Sequence, residues 1–527
     1  MSVSGQDAII DGLALSLAGT GDPVERIATH GAVVLLAGDR AYKIKRAVKY
    51  PYMDFSTLAL REEACRAELA VNRRTAPQLY LDVVAVIAEP DGSIRSGSGE
   101  AGRVVEWAVM MRRFEQGCLF DRMATAGRLD TSLIRSLART IARFHREAAP
   151  IRGLDLGKAV HDLVRTNRDR LLEHAAVFPS AEVAALTAKA LGFVDRQMPA
   201  LEDRSVGGFV RHCHGDLHLG NVALIDGKPV LFDAIEFNRT FAEIDVFYDL
   251  AFMLMDLEHR RHRDFANLLL SAYLELTEDY AGLALLPLYL SIRAAVRAHV
   301  GAQAASLDPD AANASVRRAE AAHYLGQAKA YLDPAPPRLV AIGGVSGTGK
   351  STLARLIAPE LGPPPGAVVL RSDVIRKRMF GVEPTQRLSK AGYAPGVSER
   401  VFAEIARAAG RTLAAGHACI ADAVYGEERH RRGIAAAAAE TGAPFTGLWL
   451  EANPELLERR VRQREGDASD ADVKVLRSQL AHVAAPREWL RIDAAGSPEE
   501  IARNACEAMA GRSAIAPAAA ARTSRVR

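Results

Sequence analysis

Two short stretches of this chain hold residues whose types and spacing suit phosphate chemistry. In HGDLHLGN at 214–221, Asp216 and Asn221 are separated by four residues, and LFDAIEFN at 231–238 adds a further carboxylate, Asp233. Asp216 can accept the proton of a hydroxyl, while an amide oxygen on Asn221 and the Asp233 carboxylate are hard donors of the kind a magnesium ion takes. Further along, GVSGTGKS at 344–351 fits GxxxxGK[ST] in full. Its glycines let backbone N–H groups turn inward around an anion, Lys350 adds positive charge, and Ser351 offers a hydroxyl to a cation. Gly344, Ser346, Gly347, Thr348, Gly349, Lys350, Ser351 and Thr352 are therefore the expected phosphate-holding residues of this second stretch. The two solutions belong to different folds, which predicts a fusion of two phosphate-handling halves.

The elements that must position these residues are legible around them. HGAVVLLAG at 30–38 and RAYKIKRAV at 40–48 are β-rich and meet at Gly38-Asp39, a hairpin signal. Residues 56–74 have helical periodicity, with Leu58, Cys65, Leu69 and Asn72 near one face. Two strands are expected to flank the Gly/Ser-rich loop at 89–102, the second ending in WAVMMRRF at 107–114, and helices should fill about 119–205. DVFYDLAFMLMDL at 245–257 reads as a core helix, with Asp245 and Asp249 anchoring the loop at 214–221 or capping a helix. DPAPPR at 333–338 cannot continue a helix and reads as a linker. Beyond it, RLVAIGG, AVVLRSD, HACIADAV, TGLWLEA and EWLRIDA alternate with helical stretches, the pattern of a parallel α/β sheet.

Asp216 and Asn221 have the D-x-x-x-x-N spacing of a kinase catalytic loop. His214 would brace that loop, and Asp233 stands where kinases keep the carboxylate that chelates the nucleotide's metal. A kinase also needs a small-lobe lysine on the phosphates. RAYKIK offers Lys43 and Lys45 on one side of a strand, with Lys43 favoured, and the partner is Glu68 or Glu63, with Glu68 taken for its place beside Leu69. Residues 20–330 resemble the aminoglycoside phosphotransferase family, a branch of the protein-kinase-like fold, through HGDLHLGN and LFDAIEFN in that order and separation. Over roughly residues 20–500 the arrangement resembles bacterial bifunctional aminoglycoside phosphotransferase/ATP-binding proteins. The resemblance implies a cytoplasmic protein using ATP and Mg2+. It does not extend to an aminoglycoside acceptor, because no dense acidic cluster suited to a polycation is visible.

In the second half, RSDVIRKRMFG places Asp373 and Arg376 three apart at a helix start, hence on one face. This resembles the D-x-x-R of small P-loop kinases, which implies that Asp373 activates an acceptor hydroxyl and Arg376 holds the acceptor. The competing reading is a capping aspartate with a surface arginine. Asp422 ends the strand HACIAD and can hold the metal or substrate, although no conventional Walker B strand is evident. NPELLERRVRQRE carries Arg459, Arg460, Arg462 and Arg464, and SDAD at 469–472 starts the next helix. That order suits a lid, or equally a solvated basic face.

Bulk properties exclude more than they select. At 527 residues the chain is too long for one core, and roughly 150 residues per domain suggests about three or four compact units. A formal charge of +3 is too small to argue for a polyanion partner, so nucleic acid is not expected. Cys65, Cys118, Cys213, Cys419 and Cys506 form no CxxC pair and fit a reducing setting. His212, Cys213, His214 and His218 lack a completing set for zinc. The N-terminal stretch lacks a basic n-region, and LALLPLYLSI at 283–292 is too short, and broken by Pro287, to span a membrane. The fold class expected is mixed α/β and α+β. A bilobal protein-kinase-like fold, small lobe 1–115 and large lobe 116–332, precedes the linker 333–338, a P-loop α/β/α sandwich with a parallel sheet at 339–510, and a tail at 511–527. The function expected is transfer of the ATP γ-phosphoryl at two sites to hydroxyls of small-molecule or nucleotide-like acceptors. One sensing half beside one catalytic half, or a C-terminal nucleic-acid-end kinase, are the alternatives.

Overall fold

A computed structural model describes residues 3–18, 23–29, 31–50, 53–97, 102–463 and 468–515. Arg464 of the arginine-rich stretch NPELLERRVRQRE, part of the Gly/Ser loop (98–101) and the Ala/Arg-rich end (516–527) lie outside the described residues. The chain divides into two compact units, Met1–Leu156 with Glu202–Asp256, and Gly157–Leu201 with Leu257–Arg527.

The first unit contains, among the described residues, a six-stranded antiparallel sheet in the order Glu25–Ala28, Ala32–Ala37, Arg40–Lys45, Arg103–Arg112, Tyr80–Ala88, Ile94–Ser96. The hairpin at Gly38-Asp39 forms as its sequence predicts, with Gly38 at a φ of 53°. The Gly/Ser loop differs from expectation in one respect. Ile94–Ser96 forms a short edge strand inside it, and Ile94 packs against the helix Val3–Ala18. That helix carries no strong sequence signal, yet it buries Ile10 and Leu13 on the sheet face lined by Val33, Leu35, Ile44 and Val86.

The helix Leu58–Asn72 begins at Thr57, whose side chain accepts from the Leu60 N–H. Its buried positions are Arg61, Ala64, Cys65, Glu68 and Asn72, so the inward stripe is largely polar. Such a stripe is stable only if each group finds a partner. Arg61 Nε meets Glu106 Oε1 at 2.8 Å, and Gln6 Nε2 donates to Glu106 Oε2 at 2.8 Å and to the Lys45 carbonyl at 2.7 Å. The first helix, the glutamate-bearing helix and the central strand Arg103–Arg112 are thus joined by one buried carboxylate.

In the second unit the five strands expected from sequence form one parallel sheet. Its order is Val368–Arg371, Cys419–Asp422, Leu339–Gly343, Phe445–Glu451, Leu490–Asp493. Ile342, Leu353, Ile420, Leu448, Ile492 and Ile501 lie in its core. LALLPLYLSI overlaps the start of the helix Leu286–Leu307, with Pro287 in its first turn, and no described helix is long and apolar enough to cross a membrane.

The Arg61–Glu106 pair is wholly buried on both sides. Arg61→Met strands the carboxylate and is expected to cost about 3–5 kcal/mol in urea unfolding. Adding Glu106→Gln, which removes the stranded charge, should recover part of that loss.

Candidate active sites

The loop 214–221 is held from below by the apolar helix Val246–His259. Asp249, fully buried there, accepts the His214 N–H on Oδ2 and the Gly215 N–H on Oδ1, each at 3.0 Å. Asp256, two turns further along the same face, accepts the Leu219 N–H at 3.0 Å. Asp245 pairs with Arg204 and accepts the Phe247 N–H at 2.8 Å. Acids buried on an apolar helix must accept hydrogen bonds, and these three do so by capping or by carrying the loop. His214 Nε2 lies 2.9 Å from the Phe232 carbonyl and so donates to it, and burial lowers its pKa, which keeps the ring neutral and bracing. Gly215, at a φ of 84°, has no room for a side chain: a Cβ there would lie 2.7 Å from the Phe241 carbonyl oxygen.

This support brings the candidate residues of the first unit together. Asn221 Nδ2 donates to Asp216 at both the carbonyl and Oδ2, each 2.9 Å, which commits the amide nitrogen and leaves the amide oxygen as the donor for a cation. His218 Nε2 stands 3.4 Å from Asp216 Oδ2. Asp233 adopts a left-handed φ of 63°, held by its N–H on Tyr80 Oη at 3.1 Å and by the next N–H, of Ala234, on Asn72 Oδ1 at 2.8 Å. Lys43 Nζ meets Glu68 Oε1 at 2.7 Å and also bonds Asp233. Lys45 likewise reaches Glu68, at Oε2 and 2.5 Å, and pairs with Glu236, so both lysines of RAYKIK converge on one glutamate. Glu63 is exposed and takes no part in this cluster.

The electrostatics follow from this crowding. Burial alone would lower the Lys43 pKa, but Asp233 and Glu68 hold it well above its ordinary value. Burial would raise Glu68, yet Lys43 and Lys45 lower it to about 2. Glu236 is raised, because burial and the neighbouring Glu68 outweigh Lys45. Glu236, Asn72, Tyr80 and Asp256 had no role in the sequence, and Lys45, there the alternative to Lys43, stands beside it on the same glutamate. Only periodic acids in DVFYDLAFMLMDL and the second carboxylate of LFDAIEFN signalled any of them.

In the second unit the loop 344–351 leaves the end of the central strand Leu339–Gly343, and Gly349 opens the helix Lys350–Ile357 at a φ of 88°. Gly344 and Gly347 are required by space as well as by positive φ, since a Cβ would lie 2.6 Å from the Leu450 carbonyl oxygen and 2.9 Å from that of Leu457. Lys350 Nζ and Thr348 Oγ1 both donate to the Val345 carbonyl, at 3.0 and 2.8 Å, and the Ser346 N–H donates to Gln479 Oε1 at 2.8 Å. Ser351 Oγ bonds Asp422 Oδ2, and Thr352 follows in the helix's first turn. The neighbouring strand carries Asp422 to the edge where Ser351 begins its helix.

Asp373 lies in the first turn of the helix Ser372–Met379, and its pKa is raised, by burial first and by Asp422 second, against Arg371 and Lys350. Arg376 is buried; its Nη1 donates to the Gly392 carbonyl at 2.8 Å and its guanidinium lies over the Tyr393 ring at 4.8 Å. It is therefore no surface arginine. Asp470, within SDAD, joins buried Lys377 at 2.9 Å, the Leu388 N–H at 2.9 Å and Tyr393 Oη at 2.7 Å, and Asp472 caps the helix Val473–His482.

Residues 49–286 match the phosphotransferase enzyme family and residues 339–486 match the AAA domain family. The chain is accordingly a kinase-type phosphotransferase in which a phosphotransferase domain is fused to a P-loop kinase-like domain. It belongs to the family of Rv2004c of Mycobacterium tuberculosis, with which it is 33% identical over 481 residues, 89% of this chain and 92% of that protein. The ribose 1,5-bisphosphate phosphokinase PhnN of Methylobacterium radiotolerans is 30% identical over 177 residues, 32% of this chain and 94% of that enzyme. A solved choline/ethanolamine kinase family protein from Mesorhizobium loti is similar over 62% of this chain and 99% of its own, with a TM-score of 0.38 and 16% identity.

Asp249→Asn replaces one of two charged acceptors beneath the loop 214–221. It is expected to cost about 2–3 kcal/mol in thermal or urea unfolding and to speed amide exchange at 214–221 more than in the hairpin 32–45.

Proposed function

We propose that each half binds ATP with magnesium and transfers the γ-phosphoryl to a hydroxyl of a small-molecule or nucleotide-like acceptor. The observation that carries this reading is the pairing of Asn221 with Asp216 and of Lys43 with Glu68 and Asp233 in the first unit, the two groups linked by the Phe232 N–H on the Asn221 carbonyl at 3.1 Å. A like grouping of Ser351, Asp422 and Asp373 around the P-loop supports it in the second.

In the first half Asp216 takes the acceptor's proton as its oxygen bonds to the γ-phosphorus, and the bond from that phosphorus to the β–γ bridging oxygen breaks, leaving ADP. Lys43 holds the phosphates, and Glu68 orients Lys43. Three carboxylates, Asp233, Glu68 and Glu236, stand against two ammonium groups, so this donor set suits an added cation, which Asn221 and Asp233 would hold. When bound, magnesium would offset the negative charge of the phosphates. In the second half Ser351, with Asp422 beside it, would hold the ion, Asp373 would take the acceptor's proton, and Arg376 would hold the acceptor. Catalysis in both is mainly positioning and charge neutralisation. A reducing, cytoplasmic compartment, where ATP is held, suits the chain's free thiols.

Calorimetry is expected to give two nucleotide equivalents per chain, one of which Lys350→Ala removes. Asp216→Asn and Lys350→Ala should each lower turnover at their own site by about 10²–10⁴-fold while sparing the other. Unchanged ATP turnover in both variants overturns the reading. The pH dependence separates the sites further. A base works only when deprotonated, and the Asp373 pKa is raised, so turnover at the P-loop site should fall off with acid at a higher pH than an ordinary carboxylate would allow. The acid limb of ATP hydrolysis by Asp216→Asn, in which only that site acts, checks this.

A further inference from the structure

The strand Val368–Arg371 is an edge strand of the parallel sheet, and it leads directly into the helix that carries Asp373 and Arg376. One side of this strand pairs with Cys419–Asp422, as the Val368 N–H on the Ala418 carbonyl at 2.9 Å illustrates. The backbone groups of Ala367 and Val369 therefore face outward, where an edge needs other partners. The Ala367 N–H goes to the Ala358 carbonyl at 2.8 Å, and two further partners come from the helix Arg263–Thr277, in the same compact unit. Asn267 Nδ2 donates to the Ala367 carbonyl at 2.9 Å, and Ser271 Oγ accepts the Val369 N–H at 3.1 Å. Both side chains are buried. The match is geometric: a rise of about 6 Å over four helical residues equals about two residues of strand.

The end of the same helix also reaches the acceptor helix. Arg378 lies away from the face shared by Asp373 and Arg376. It pairs with Glu278 at 2.6 Å, with Glu404 at 3.4 Å, and donates to the Glu275 carbonyl at 3.3 Å. Arg411 donates to the Glu278 carbonyl at 2.9 Å and lies over the Tyr280 ring. Glu278 itself holds a left-handed φ of 54° at the helix C-cap, a position where glycine is the relaxed choice. Yet Arg263–Thr277 and Glu278 fall inside residues 49–286, the segment that matches the phosphotransferase family.

We propose that this helix of the phosphotransferase-type half is a working part of the P-loop half: it closes the open edge of the parallel sheet, and Glu278 with Arg378 positions the helix bearing Asp373 and Arg376. Glu278 and Arg378 are positioning residues, and the inference rests on reading Asp373 as the acceptor-side base. A segment cut at 333–338 would lose this edge, so the two halves are coupled through shared structure rather than merely tethered.

The test uses the full chain. Glu278→Gly removes the carboxylate but relaxes the backbone, so its melting temperature should stay level or rise. Amides of 368–380 in this variant, and in Asn267→Ala/Ser271→Ala, should exchange about tenfold faster or more, the scale of one hydrogen bond to a charged group, while 32–45 are unchanged. In the Asp216→Asn background, Glu278→Gly should lower kcat for ATP hydrolysis with KM for ATP within about twofold, and Glu278→Asp should restore part of it. Unaltered exchange at 368–380 in both variants, or a kcat equal to that of the background, overturns the proposal. Failure of the two-site reading looks different, because AMPPNP with magnesium would then leave amides 344–352 unprotected in the unmodified protein while the exchange arm still decides the positioning role.

Discussion

The geometry of the first half depends on how a fully buried carboxylate, Glu68, is kept charged. Water is excluded around it, so the charge survives only because two ammonium groups, Lys43 and Lys45, close on its two oxygens. That requirement fixes the helix Leu58–Asn72 against the strand Arg40–Lys45, since neither lysine can retreat without stranding the glutamate. Lys45 is also bound to Glu236 and Lys43 to Asp233, so the helix Leu58–Asn72, the hairpin and the segment 231–238 share one electrostatic knot. A second buried charge, Glu106, ties the same helix to the sheet through Arg61 and to the first helix through Gln6.

The loop 214–221 obeys the same logic from the other side. It satisfies only some of its own amides, those of His218, Gly220 and Asn221, and the acids of the helix beneath it accept from His214, Gly215 and Leu219. In the P-loop half the balance differs, because there the loop's N–H groups, a helix N-terminus and Lys350 gather positive potential, and Asp422 and Asp373 stand close enough to raise the latter's pKa. The two halves thus arrange charge differently, one with side chains on a mixed scaffold and the other chiefly with backbone.

Much of this was legible beforehand where chemistry dictates spacing. HGDLHLGN, LFDAIEFN and GVSGTGKS work only as local patterns, because a loop that must bind phosphate or metal has to present its donors within a few residues. The inner strands of the parallel sheet, Leu339–Gly343 and Cys419–Asp422 above all, were equally plain, since strands buried on both faces read as apolar runs. The helix Val3–Ala18 and the strand Ile94–Ser96 were not, because each is short of periodic signal and is stabilised by packing on the other. The choice between Glu68 and Glu63 was open for a similar reason, as a glutamate on a helix reads alike whether it faces a lysine or water.

The amino-acid sequence by itself determined which residues can take a proton, hold a cation or cradle a phosphate, because those capacities belong to side-chain chemistry and to short spacings along the chain. Only the tertiary structure decided that Lys45 shares Glu68 with Lys43, that Asp256 joins Asp249 in carrying the loop 214–221, and that Asn267 and Ser271 cap the sheet edge beside Asp373. These are pairings across tens to hundreds of residues. They exist because buried polar groups must find partners wherever folding brings them, a condition no local pattern records.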